Sequence, residues 1–517
     1  MTIFESLLVL LLAAIVLLQA SRRIGLPYPA MLAAAGVMLA LIPGAPVISL
    51  DPATALALFI APVLLDAAFD FPVGVARKLW RPLVVLAVGA VLATTAIVAW
   101  IGWAWAGLPL AAAVVLGAIV APPDAAAATA VLGTVSLPRI STAVLKGESL
   151  FNDATALLLF SGALAIQANG GVDAGVGWPL ALAAPGGIAF GMASAFVIAR
   201  LNRFVADTLG GNLLQFVTAF LVWIVAEHLK LSAVLAVVAM AMTAAARSPE
   251  GNRKRGSPRM RVHSYALWTT VVFLLNVLAF LLMGMQARTI LGAMPRERLG
   301  EALTFAGLVV AAVIVTRLVV TLVWNRLAAR FASLRAGLPP PTLGQGLLVG
   351  WSGMRGLVTL ATAFALPRDF PQRDLVVLTA FAVVLATLVV QGLTLTAVIR
   401  WLKLDRLEDV SRDLADARLT LAHAGVATLA DRAGEDAANL RYRYALDASA
   451  AEQGGDTAAR DAFRRLGRAA IAAERDALDD LREHHGLTTD AFYELQEALD
   501  WRELTLLHED DRRIEES

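Results

Sequence analysis

Residues 118–132 read AIVAPPDAAAATAVL. The stretch is apolar enough to lie in hydrocarbon, yet Pro122, Pro123 and Asp124 stand in its middle. Proline has no backbone N–H and its ring clashes with the preceding turn, so a helix breaks there. Non-helical backbone at membrane depth is tolerated where it lines a cavity. Asp124 follows the break and would start the second half-helix, where the macrodipole favours an anion. The plainer alternative is a kink with a snorkelling aspartate. Against it stands the distance of Asp124 from either end of the segment.

A second stretch has the same character. Residues 350–356 read GWSGMRG, with glycine at 350, 353 and 356 and an arginine inside an apolar span. This composition predicts another unwound crossing rather than a plain packing motif. Arg355 at that depth needs a carboxylate or carbonyl partner.

Working outward, a spanning helix needs roughly 20 mostly apolar residues. About thirteen stretches qualify: 2–20, 27–43, 52–69, 82–106, 109–133, 143–167, 179–199, 212–229, 231–246, 265–287, 302–325, 342–366 and 374–399. The third is interrupted by Pro62 and Asp66. The two broken spans are the fifth and twelfth. That offset gives units of helices 1–6 and 8–13 joined by helix 7, and an odd offset inverts the second unit in the membrane. Paired interrupted helices in inverted repeats point to a transporter site. The expected fold is an all-α polytopic membrane protein with a transmembrane domain over 1–403 and a soluble helical tail over 404–517.

Composition agrees. Hydrophobic residues make up 58% of the 517, above the ~45–50% of soluble domains. Met1–Arg400 holds 27 Lys+Arg and 15 Asp+Glu, whereas Trp401–Ser517 holds 16 and 27, so the overall +1 conceals two regions of opposite sign. With the N-terminus outside, the loops on the inner side carry 18 basic residues, including the run Arg247–Arg261, against 6 on the outer side. That asymmetry fits the positive-inside rule and puts the acidic tail in the cytoplasm. In the tail, Asp413–Ala430 and Ala458–His484 show helical periodicity, with breaks at Gly454-Gly455 and Gly486. The N-terminal stretch lacks a basic n-region and reads as a retained helix. Cysteine is absent, which excludes disulfides and thiolate chemistry.

Ionisable groups deep in the spans call for a function. The candidates are Asp66, Asp124, Glu148, Asp153, Arg317 and Arg355, and no histidine lies in the middle of an apolar segment to compete as a proton carrier. Residues four apart share a helix face, so in GESLFND (147–153) Ser149 points with Asp153 and Glu148 with Asn152. Ser149 and Asp153 offer hard oxygen ligands, which suit alkali cations by the logic of other hard ions.

These motifs resemble those of the monovalent cation/proton antiporter family, which includes the eukaryotic sodium/proton exchangers and the bacterial NhaP-type antiporters. GESLFND at 147–153 is the strongest match, followed by GWSGMRG at 350–356, APPDA at 121–125 and PVLLDAAFD at 62–70. The resemblance covers roughly residues 1–400. It implies a scaffold, a mobile core domain, two interrupted helices crossing at mid-membrane, and a homodimer. It implies exchange of Na+, or Li+ or K+, for H+, in the service of pH and sodium homeostasis. It places cation and proton competition on Asp153, preceded by Asn152, with Ser149 and Asp124 around the ion as Na+ ligands. The Asn-Asp pair implies electroneutral exchange. Glu148 and Arg355 match a structural ion pair, and Asp66 an acidic position near the ion path. The chain departs from the family at two points: Pro123 stands where many members have threonine, and Asp66 where Glu is commoner.

Other classes fit less well. A channel needs rings of ligands and continuous access, and no filter-like repeat is present. A sodium-coupled solute symporter predicts substrate-sized polar clusters, and a membrane sensor predicts no transport. No phosphate-binding loop, zinc spacing or catalytic triad supports an enzyme. No cofactor and no nucleic acid is expected; the partners expected are cation, proton and the lipid bilayer. The cation preferred, the ligand of the tail and the choice between inner and plasma membrane are left open.

Overall fold

Backbone groups in hydrocarbon find no water, so a spanning segment must close its hydrogen bonds within its own helix. The computed structural model follows that constraint and is helical throughout its regular structure among the described residues. Described are residues 3–24, 27–41, 51–124, 128, 139–171, 174–205, 208–247, 258–293, 295–335, 338–404, 407–452, 458–484 and 489–507. The second half of the first broken span, most of the run between Arg247 and Arg261, and the breaks at Gly454-Gly455 and Gly486 lie outside them, wholly or nearly so.

The helices α1 (Ile3–Ile24), α2 (Tyr28–Leu41) and α3 (Pro52–Phe69) come first. Next, α4 (Val73–Val84) runs through a π-helical turn (Val85–Ala90) into α5 (Val91–Ala106), and α6 (Leu110–Val120) leads to the first break. Then follow α7 (Arg139–Asn169), α8 (Ala174–Val205), α9 (Leu209–His228), α10 (Ala233–Arg247), α11 (Pro258–Met285) and the short α12 (Ala287–Ala293). After α13 (Arg296–Arg330) and α14 (Ala332–Arg335), the second broken span consists of α15 (Leu343–Trp351) and α16 (Leu357–Phe364). The last apolar rod is α17 (Arg373–Ala386), a π-helical turn (Thr387–Gln391) and α18 (Gly392–Trp401).

Each of the thirteen apolar stretches falls wholly or partly on helix, and seven described helices are long and apolar enough to cross a membrane alone. Five shorter apolar helices accompany them, α6 among them. On the α4–α5 rod, Trp80 near one end and Trp103 and Trp105 at the other are exposed. At 1.5 Å per residue these tryptophans stand ~37 Å apart, the spacing of the two interfaces where amphipathic rings settle.

Local chemistry sets the helix ends. Asp51 accepts from the Thr54 N–H at 3.0 Å and precedes Pro52 at the first position of α3. Gly107, left-handed at φ 63°, turns the chain after α5 and lets the Leu108 N–H reach the Gly102 carbonyl at 3.1 Å. A reciprocal pair, Thr342 with Gln345, opens α15. Small residues bring backbones together: a Cβ on Gly36 of α2 would lie 2.9 Å from the Cα of Gly284 on α11.

The chain divides into two compact units, Met1–Asp405 and Arg406–Ser517. The second contains α19 (Leu407–Leu429), α20 (Glu435–Glu452), α21 (Ala458–His484) and α22 (Thr489–Leu506). Ile471 and Leu478 of α21 pack with Phe492 and Leu499 of α22 in a small core. Across that hairpin, Arg475 meets Asp500 and Glu503, and Arg502 meets Glu474.

Candidate functional site

The first break starts where α6 ends. Ala121, Pro122 and Pro123 are buried, and Asp124, half-buried, follows in non-helical backbone. Ala128 is again helical, and its N–H donates to the Asp124 carbonyl at 3.4 Å. In the second break, Ser352–Gly356 is buried and non-helical between α15 and α16. The two breaks meet: the Asp124 N–H donates to the Met354 carbonyl at 2.7 Å.

Each break completes the other electrostatically. The last carbonyls of α6 have no intrahelical donors and carry the negative end of its dipole. Arg355, fully buried, supplies the donors: Nε to the Val120 carbonyl at 3.2 Å and Nη2 to the Ala121 carbonyl at 3.3 Å. Its Nη1 donates to the Gly353 carbonyl of its own break. At the amide end of α16 the sign is reversed. The Asp124 carboxylate lies against Gly356, the residue that opens α16, so closely that a Cβ there would overlap it. Anions are stabilised at helix N-termini.

α7 passes beside this crossing. Asn152, fully buried, donates from Nδ2 to the Pro123 carbonyl at 3.0 Å. Its Oδ1 has no partner among the described residues, which leaves an oxygen at the crossing. Asp153 is buried next to it and interacts electrostatically with Asp124. Ser149, half-buried, is one turn before Asp153 on the same face. The structure thus brings Asp124, Asn152 and Asp153 to one place. Asp66, half-buried on α3, interacts electrostatically with Asp70 and Lys146. Among the described residues no hydrogen bond joins it to Asp124 or Asp153.

The expected Glu148–Arg355 ion pair is replaced. Arg317 of α13 takes Glu148 with both prongs, Nη2 to Oε2 at 2.8 Å and Nη1 to Oε1, and also donates to the Val349 carbonyl at 3.2 Å. Arg355 interacts with Glu148 electrostatically and makes no hydrogen bond to it. The physical reason is the first break. Its bared carbonyls recruit Arg355, and Glu148 is left to the other intramembrane arginine. The signal for Arg317 in the sequence was its place in an otherwise apolar span.

The Asp124 and Asp153 carboxylates and the Asn152 Oδ1 are hard-oxygen donors, of the kind that suit an alkali cation. Asp153, buried beside a second carboxylate, is costly to leave charged unless a proton or cation compensates it. A family model described as "Sodium/hydrogen exchanger, transmembrane" matches residues 8–401.

The chain belongs to this sodium/hydrogen exchanger family. The exchanger is therefore an antiporter and a multi-pass membrane protein. It is 29% identical to the sodium, potassium, lithium and rubidium/H+ antiporter of Bacillus pumilus over 99% of this chain and 79% of that protein. It is 31% identical to an uncharacterized Na+/H+ exchanger of Mycobacterium tuberculosis over 93% of this chain and 92% of that protein. The exchanger's fold is like that of the sodium proton antiporter MjNhaP1 from Methanocaldococcus jannaschii, with a TM-score of 0.57 at 17% identity over 78% of this chain and all of that one.

Proposed function

We propose that the exchanger swaps Na+ for H+ by alternating access, one for one and without net charge movement, with cation and proton competing at Asp153. The observation that carries this reading is the burial of Asp153 beside Asp124 where the two broken helices meet. A bare carboxylate there is costly, so Asp153 holds either a proton or a cation while the site changes sides. That cost opposes movement of an empty site and makes the process exchange rather than leak. Asp124 and Ser149 supply further oxygens, the Asn152 amide holds the break, and Asp66 serves the ion path. Glu148 and Arg355 act structurally, each through the partner described above. The name of the Bacillus pumilus relative supports Na+ and also K+ and Li+ as cargo.

On this reading residues 1–403 form the transport domain, in a bacterial inner or plasma membrane with the N-terminus outside. Residues 404–517 are a cytoplasmic tail, the protein is a homodimer, and it serves pH and sodium homeostasis. The test is collapse of a pH gradient by Na+, Li+ and K+ in proteoliposomes, with native protein and Asp153→Asn. Saturable collapse that vanishes in the variant, which still folds, is the expected result. Exchange persisting in Asp153→Asn overturns the role of that residue, and no collapse by any cation overturns the function.

A further inference from the structure

On the last apolar rod, Thr387, Gln391 and Thr394 stand at intervals that keep them on one side of a helix. Two of them hold the second break. Thr387 Oγ1 accepts the Arg355 N–H at 3.0 Å, and Thr394 Oγ1 accepts the Trp351 Nε1–H at 2.9 Å. Each hydroxyl returns its own proton to its helix, at the carbonyls of Val383 (2.8 Å) and Val390 (2.6 Å). Gln391 stands between these anchors. It is fully buried, and neither Oε1 nor Nε2 has a hydrogen-bond partner among the described residues. The next residue also backs onto the break: a Cβ on Gly392 would lie 3.5 Å from the Met354 sulfur.

The break has the complementary deficit. A helix end leaves its last carbonyls without donors, and α15 ends inside the protein. Some of these carbonyls are served. Leu348 accepts from Ser352, Val349 from Arg317, Gly353 from Arg355 and Met354 from Asp124. The carbonyls of Trp351 and Ser352 accept no hydrogen bond among the described residues. Buried polar groups are nearly always paired, and an exception asks for a reason. Here an amide with a free donor is bracketed by two anchors of a segment with free acceptors. The turn that carries the amide is π-helical, a form frequent at functional sites.

We propose that Gln391 is a positioning residue for the second break. Its amide is unpaired in the present state and bonds the Trp351–Ser352 end of α15 in the alternate state of the exchange cycle. A group that bonds in only one of two states shifts the balance toward that state. Removing it leaves the present state intact, or firmer, and slows the return. This inference rests on the alternating-access reading. Exchange by the native protein tests that reading, and only a difference between native protein and variant tests this one.

The experiment compares native protein, Gln391→Met and Gln391→Asn in proteoliposomes, with maximal rate and half-saturating Na+ measured for each, and their melting temperatures in detergent. Methionine keeps the length and removes the polar atoms; asparagine keeps the amide. Expected for Gln391→Met is a melting temperature at or above native and a maximal rate lower by about tenfold. Half-saturating Na+ stays within about twofold, because the ion site is untouched. Gln391→Asn recovers part of the rate. A native rate in Gln391→Met overturns the proposal. So does a variant that melts lower or fails to fold, because an amide serving only the alternate state is not needed to build this one.

Discussion

Arg317 and Glu148, 169 residues apart in sequence, close a two-pronged ion pair between α13 and α7 with 3% and 1% of their side chains exposed. The pair ties the helix carrying Asp153 to the helix packed against α15. It also leaves Arg355 for the carbonyls of the first break, so the two buried arginines divide two tasks.

Arg317→Met leaves the buried Glu148 carboxylate without its hydrogen-bonding partner, and breaking such a pair costs about 3–5 kcal/mol. A markedly lower melting temperature of the purified protein is expected. The double variant Glu148→Leu/Arg317→Met should recover most of the loss, because removing both charges removes the desolvation penalty. Equal melting of Arg317→Met and native protein would contradict the pair.

Arg355→Lys tests the clamp on α6. A single ammonium cannot reproduce the planar set of donors to Val120, Ala121 and Gly353. Each hydrogen bond lost to a charged group is worth about 1.5–3 kcal/mol. Lower melting and lost exchange are expected together, and a lysine variant with native exchange would refute the clamp.

Gly356→Ala puts a methyl group into the space of the Asp124 carboxylate. Exchange should fall on the order of 100-fold, as for other misplaced reacting groups. Gly307→Ala on α13, where a Cβ meets nothing within 4 Å, is the control. It should leave exchange unchanged and stabilise by roughly 0.5–1 kcal/mol. Similar exchange rates in the two variants would show that the carboxylate is not confined as described.

The tail separates surface charge from core. Arg475 is about one-third exposed and bridges Asp500 and Glu503, which hold its pKa above the ordinary guanidinium value. Arg475→Ala should nevertheless cost no more than about 1 kcal/mol, as exposed pairs do. Leu478→Ala, in the small core, should cost about 2–5 kcal/mol. Hydrogen exchange of α21 and α22 in the full-length protein measures both, and the opposite ranking would contradict the packing.

Much of this site was legible in the chain. Pro122-Pro123 and the glycines of GWSGMRG break helices by local chemistry alone, and both broke where expected. Asp153 and Ser149 share a face through helical spacing. The partner of Glu148 was not legible, because two arginines stood in apolar spans and nothing local chooses between them.

The sequence by itself determined the helical spans, the positions of the two breaks and the carboxylates at membrane depth, because backbone satisfaction and proline geometry act within a few residues. Only the tertiary structure decided that Asp124 and Arg355 would cap each other's broken helices and that Arg317 would take Glu148. Those pairings depend on which bared carbonyls and amides come to face which charges when helices distant in sequence cross.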